Sequence, residues 1–255
     1  MCMRVVDLNA DLGEIPGIEG AAIDRELLRV VTSANVACGG HAGDAESMRR
    51  VCAEAASLSV AIGAQVSFVD REGFGRRRLE VSSALLADQL RQQVADLATA
   101  ASEAGTQVAY LKPHGALYHA AAQDRQIAHV VTEVAGEFSL PVLTLPHGHL
   151  RELASAAGLT SFGEIFADRA YEPSGLLVPR DQPGAVLDDR GDVVARVVTW
   201  AQTGQVRSIT GTFVDIDAVS MCLHGDTPGA VQLAHDARRA LESAQIRIRS
   251  FTEMP

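Results

Sequence analysis

Apolar and polar positions alternate along this chain in two rhythms. Short apolar runs rich in β-branched residues have the length of strands: Arg4–Leu8, Ala34–Cys38, Val60–Ala64, Val108–Lys112, Pro141–Leu145, Gly163–Ala167 and Ala218–Leu223. Between them apolar residues return at helical spacing, as in Met48, Val51, Cys52 and Ala55, or Leu86, Leu90, Val94 and Leu97. Ile127, Val130, Val131 and Val134 mark another such face, and Val193, Val194, Val197 and Val198 a further one. The last helix is expected to open with Thr227 as N-cap and Pro228 at its first position, where proline's missing N–H costs nothing. Strands alternating with helices predict a mostly parallel sheet with helical crossovers. About seven units in a chain of 255 residues give an α/β fold class, an irregular (β/α) barrel formed as one domain over residues 1–255. An open doubly wound sheet shares this periodicity. The stretch Tyr171–Arg190, with Pro173, Gly175, Pro179, Pro183 and Gly184, reads as a loop over a site rather than a domain boundary.

Polar residues interrupt the pattern at particular places. In "VVDLNADLGE" Asp7, Asn9 and Asp11 alternate with apolar neighbours, so an extended chain aims all three the same way. A solvent-facing edge strand explains this blandly; a catalytic or metal-binding face of a central strand explains it chemically. The ends of other strands carry similar groups: His41 and Asp44 in "NVACGGHAGD", Lys112 and His114 in "LKPHGALY", His147 and His149 in "PHGH", Glu164 and Asp168, and His224 and Asp226 in "CLHGDTPGA". In parallel α/β folds these ends converge on one mouth, so residues far apart in sequence meet there. Taken singly, Asp44 and Asp226 suit helix caps, and His147 and His149 suit a surface loop. His119, His129 and His235 fall on helical segments and receive no role.

Composition narrows the partners. A net charge of −10 argues against nucleic acid or an anionic membrane surface as ligand, because both require a basic face. Four scattered cysteines, Cys2, Cys38, Cys52 and Cys222, make no C-x-x-C pair and read as reduced core thiols. The N-terminus lacks an apolar signal-like stretch and no run is long enough for a membrane span, which gives a cytoplasmic expectation. No G-x-x-x-x-G-K-S/T or G-x-G-x-x-G is present, so the chain carries no recognisable phosphate-cradling loop. Nor is there a G-x-S-x-G elbow, which leaves acid–base hydrolysis, with or without a metal. Among its 22 Lys plus Arg residues only Lys112 is lysine, so this position calls for a compact ammonium rather than a guanidinium.

The motifs "DLNADLGE", "NVACGGHAGD", "SFVDREGFGRR", "KPHGALY", "EIFADRAYEPSGLLVPR" and "HGDTPGAV" together resemble the LamB/YcsF family of 5-oxoprolinase components, from Asp7 to about Val231. The resemblance implies an irregular (β/α) barrel and ATP-dependent opening of 5-oxoproline to L-glutamate in a complex with two further subunits. The chain departs from the family at Gly63-Ala64-Gln65-Val66-Ser67-Phe68-Val69-Asp70, where Gln65 stands at a common histidine position. On this reading Asp7, Asn9, Asp11, His41, Asp44, Lys112 and His114 form the catalytic set. Gln65, Asp70, Arg71, Arg76, Glu164, Asp168, Arg169, Arg180, His224 and Asp226 bind substrate. ATP is used by the complex, and a divalent metal, if one takes part, has Asp7, Asp11 and His41 as candidate ligands. Two other readings stay open: a divalent-metal-dependent deacetylase or amidohydrolase, and a non-catalytic metabolite-binding component of a larger complex.

Overall fold

The computed structural model describes residues 5–180, 182–187, 189–223 and 229–254. The chain runs β1 (Val5–Leu12), α1 (Gly17–Leu28), β2 (Ser33–Ala37), α2 (Ala45–Ser57), β3 (Ala61–Val66), α3 (Ser83–Glu103) and β4 (Val108–Pro113). It continues through α4 (Gly115–Gln123), α5 (Arg125–Glu137), β5 (Val142–Thr144), α6 (His149–Ala156), β6 (Ser161–Phe166) and α7 (Arg190–Thr203). Then come β7 (Gln205–Arg207), β8 (Phe213–Asp215), β9 (Ser220–Leu223), α8 (Ala230–Ser243) and β10 (Arg247–Ile248). Seven parallel strands close in the order β1-β2-β3-β4-β5-β6-β9, with β9 pairing back to β1. The sheet is thus a closed barrel, not the open doubly wound alternative.

All seven expected strands are present, displaced by a few residues at their ends. The largest difference is in β1, which runs on through Asn9 and Asp11 to Leu12 instead of stopping at Leu8. Its alternation has an unusual direction: Leu8, Ala10 and Leu12 face the helices and join the main apolar core, while Asp7, Asn9 and Asp11 point into the barrel. All three are at most 7% exposed, so the solvent-facing edge strand is excluded. An apolar plug closes the N-terminal end, where the Phe251 ring lies 4.8 Å from those of Tyr110 and Phe162. Phe251 arrives there because β10 pairs with the first residues of β1.

Among the described residues α8 runs from Ala230, with Gly229 at φ +81° as its N-cap; Thr227 and Pro228, where the helix was expected to open, lie outside the described residues. The sequence pattern also passed over the antiparallel hairpin β7–β8 and the two-residue β10. Cys38, Cys52 and Cys222 are free and buried. Among the described residues no helix is long and apolar enough to cross a membrane.

Candidate active site

The barrel interior is a column of polar side chains rather than the branched apolar layers common in such barrels. At the bottom Asp7 accepts hydrogen bonds from Thr32 Oγ1 (2.6 Å), Ser33 Oγ (2.7 Å) and Ser220 Oγ. Burial pushes its carboxyl up to about 6, with the hydroxyl donors pulling the other way. One layer higher Asn9 donates to Ser220 Oγ (2.6 Å) and Glu164 Oε2 (3.3 Å), while its Oδ1 accepts from Asn35 (2.7 Å). Tyr110 donates to Asn35 Oδ1 (2.6 Å). These bonds matter because a buried polar group left unpaired is costly.

Lys112 stands above this layer. Its Nζ lies 3.0 Å from Glu164 Oε2 and 3.3 Å from each of Asp11 Oδ1, Asn9 Oδ1 and Cys222 Sγ. An ammonium has three protons, so its donors are fully taken by side chains. Burial alone would lower the lysine pKa, but the Asp11 and Glu164 carboxylates outweigh it and hold Lys112 well above its ordinary value. Glu164 in turn is raised by burial, an effect the lysine partly offsets. The compact ammonium anticipated at position 112 therefore neutralises two buried carboxylates.

At the mouth Glu14, His41 and His114 converge, with one ligand atom from each lying within 4.8 Å of the others. Glu14 Oε1 is 3.0 Å from His41 Nε2 and 3.6 Å from His114 Nε2, and it accepts from Gln65 Nε2 at 3.0 Å. The two imidazoles stack at 3.7 Å with the Phe74 ring edge-on to both. Burial first, and His41 second, hold His114 well below its usual pKa, so it stays neutral. Ser67 Oγ donates to the Phe68 carbonyl (2.9 Å) and sits 3.1 Å from His41 Nδ1. With its proton on Phe68, Ser67 accepts from Nδ1, so Nε2 faces Glu14 with either a second proton or a lone pair. Gln93 on α3 fixes Ser67 by pairing with both its N–H and its C=O at 2.9 Å.

Backbone geometry makes the stacking possible. Gly75 has φ +65°, and a Cβ there would fall 2.8 Å from His41 Cβ and 3.1 Å from His114 Nδ1. Beside the cluster opens a cavity of about 340 Å³, with Asp11, Glu14, Lys112, His114, Tyr118 and Phe166 at its inner wall and Arg76, Arg169 and Arg180 among its lining. Leu177, Val178 and Pro179 from the proline-rich segment also line it, as a loop over a site should. Glu14 and His41 border a second cleft, of about 540 Å³, so Glu14 is reached from both.

The sequence matches the LamB/YcsF family over residues 6–255. It is 50% identical to the A component of 5-oxoprolinase from Streptomyces avermitilis, covering 97% of this chain and 100% of that protein. This chain belongs to the LamB/YcsF family. A Pseudomonas syringae relative, also an A component of 5-oxoprolinase by name, is 46% identical over 98% of both chains. Among solved structures, a lactam utilization protein from Thermus thermophilus superimposes with a TM-score of 0.89 at 35% identity, covering 96% of this chain and 99% of that one.

In this LamB/YcsF barrel the residues singled out from sequence separate into groups. Asp11, His41, Lys112, His114, Gln65 and Glu164 meet at or just beneath the mouth, and Arg76, Arg169 and Arg180 line the cavity. Asp7 does not: it lies at the foot of the column, tied to three hydroxyls, and Asn9 is fully buried one layer above it. Asp7, Asp11 and His41 therefore do not form a ligand set, because strand alternation stacks the two carboxylates in different layers. Asp44 caps α2 through Glu46 N (3.0 Å) and Ser47 N (2.8 Å) in a capping box. Asp70 pairs with Arg77 and is lowered to about 2 by it. Arg71 donates to the carbonyls of Gly39 (3.2 Å) and Gly43 (2.8 Å). Asp168 is buried beside Arg169, whose guanidinium bonds the carbonyls of Val178 (2.7 Å) and Ala185 (3.3 Å). His149 pairs with Glu152 on the outside (3.3 Å), and His224 and Asp226 lie outside the described residues. Glu14, Ser67, Gln93 and Tyr118 drew no attention in the sequence. Glu14 had a signal, three residues beyond Asp11 at the end of β1.

Proposed function

We propose that this chain is the A component of a 5-oxoprolinase, a hydrolase that opens the cyclic amide of 5-oxoproline to L-glutamate with partner subunits that activate the lactam with ATP. The observation that carries the proposal is the convergence of Glu14, His41 and His114 beside a small cavity that Glu14 and His114 line and that also has arginines on its wall. High identity to proteins named as 5-oxoprolinase components supports the substrate. Those names describe one component among several, which supports an assembly, and the lack of a phosphate-cradling motif in this sequence is consistent with ATP binding on the partners.

A lactam is a poor electrophile, so its carbonyl needs activation before water attacks. Arg76, Arg169 and Arg180 supply positive charge for the substrate carboxylate, and guanidinium forks suit such anions. Asp11, one oxygen of which is held by Asn35 (2.8 Å) and Lys112, borders the cavity as the carboxylate that takes a proton from water and returns it to the ring nitrogen. The Lys112 ammonium lies between Asp11 and Glu164 and offsets part of the burial that raises Glu164.

The mouth cluster fits a divalent cation. One carboxylate and two imidazoles are a common catalytic donor set, and a tetrahedron with bonds of about 2.0–2.1 Å separates its ligand atoms by roughly 3.3 Å. The observed 3.0 and 3.6 Å bracket that spacing. His114 is neutral, as a ligand must be, and the Ser67 contact leaves His41 Nε2 as the ligating atom. A cation held by Glu14, His41 and His114 supplies Lewis-acid polarisation of an amide oxygen.

The test is glutamate release from 5-oxoproline. With both partner subunits and ATP the chain is expected to release glutamate, and alone it is expected to release none. Release by the isolated chain without ATP contradicts the division of labour and favours a metal-dependent amidohydrolase; no release by the full assembly contradicts the proposal outright. Elemental analysis of the purified chain is expected to find one divalent metal per chain, reduced in Glu14→Gln.

A further inference from the structure

Tyr118 takes no part in the Glu14, His41 and His114 cluster, yet it borders the same cavity. Helix α4 starts immediately after β4, and this places Tyr118, on its first turn, back over the strand end, where only 3% of the residue is exposed. Its ring is wedged edge-on against Phe166 (5.6 Å, 87°) and His119 (5.8 Å, 85°), so the hydroxyl has a fixed position. That hydroxyl faces the Glu164 carboxylate without completing a hydrogen bond of ordinary geometry, and no other described residue bonds it. A buried hydroxyl left this way is costly, and native proteins rarely keep one without a use.

Two of the charged donors around it are already engaged. Lys112 faces four acceptors with three protons, and Arg169 is bonded to two backbone carbonyls. Burial, reinforced by the nearby Glu164, raises Tyr118 well above the ordinary phenol value, so it is always present as O–H. Phe166, Leu177 and Val178 offer apolar wall for the two methylenes of a five-membered lactam, and the arginines offer charge for its carboxylate. An unused O–H at the inner wall then meets the amide edge.

We propose that Tyr118 is a catalytic residue whose hydroxyl donates a hydrogen bond to the exocyclic oxygen of the lactam. Negative charge gathers on that atom as water adds to the ring carbon, with or without a phosphoryl group attached, so the bond strengthens along the reaction. This assignment rests on the 5-oxoprolinase reading and names a residue that touches its substrate.

The test is Tyr118→Phe, which removes one oxygen and keeps the ring, assayed for glutamate release with both partner subunits and ATP. Because the bond forms mainly as charge develops, kcat is expected to fall by about 10²-fold or more while KM stays within about threefold. The Tm is expected to stay near the wild-type value, since the hydroxyl makes no hydrogen bond of ordinary geometry in the fold and only its longer contact with Glu164 is lost. A wild-type kcat in the variant, or a lowered Tm that accounts for the lost activity, overturns the assignment. If the wild-type assembly is active and the variant matches it, the role of Tyr118 alone falls. If the wild-type assembly releases no glutamate, the function fails and Tyr118's role with it.

Discussion

Lys112→Met removes a single positive charge from between two buried carboxylates while keeping the length of the side chain. In the native protein Nζ is 3.0 Å from Glu164 and 3.3 Å from Asp11, all three side chains being at most 7% exposed. Deleting one member of such a buried cluster costs about 3–5 kcal/mol, because the remaining charges keep their desolvation and lose their compensation. For a chain of this size each kcal/mol moves Tm by about 2–4 °C, so a fall of about 6–20 °C is expected. The loss has a pH signature. Glu164 already has a folded-state pKa above its unfolded value, and removing the lysine raises it further. A raised carboxyl stabilises the fold below the unfolded pKa and loses that contribution as pH rises through the folded one. The variant is therefore expected to be closer to wild type at pH 5 than at pH 8. Urea melts at the two pH values measure this. A deficit under about 1 kcal/mol at pH 8, or one equal at both pH values, refutes the claim that Lys112 neutralises Asp11 and Glu164. Adding Glu164→Gln is expected to restore part of the stability at pH 8, since one of the two uncompensated charges is gone.

Asp7→Asn probes the foot of the column. With its folded pKa raised from 3.8 to about 6, Asp7 favours the fold below pH 3.8 and gives up roughly 3 kcal/mol of that as pH rises through 6. Relative to wild type, Asp7→Asn is expected to gain most of that amount in urea melts between pH 4 and pH 7; parallel curves contradict it. Gly75→Ala is expected to cut turnover and to lower Tm by several degrees, because it strains a φ of +65° and drives a Cβ to 2.8 Å from His41. An unchanged melt shows that the His41–His114 stack tolerates displacement.

Much of the barrel was legible because its strands are short β-branched runs set between helices with a clear apolar face. The end of β1 was not, since Asn9 and Asp11 look like the polar exit of a strand when they in fact line a polar interior. Strands β7, β8 and β10 have two or three residues each and depend on partners elsewhere, so no local pattern marks them. At the site, His41 and His114 stood out because both follow strand ends. Asp44 and Asp70 stand at similar places, yet local bonding claims them: a free helix N-terminus for one and Arg77 for the other. A carboxylate that caps and one that faces a cavity look alike in sequence. Glu14 resembled an acidic residue near the start of α1, and Tyr118 resembled part of the apolar face of α4.

The most direct test of the central claim, that the Glu14, His41 and His114 cluster is the reaction centre, is the rate of glutamate release by Glu14→Gln in the full assembly with ATP. Glutamine keeps the shape and still accepts from Gln65, so Tm is expected to stay near the wild-type value. Turnover is expected to fall by about 10²-fold or more, as for the loss of an acid–base or metal-holding group. Wild-type turnover by the folded variant contradicts the account.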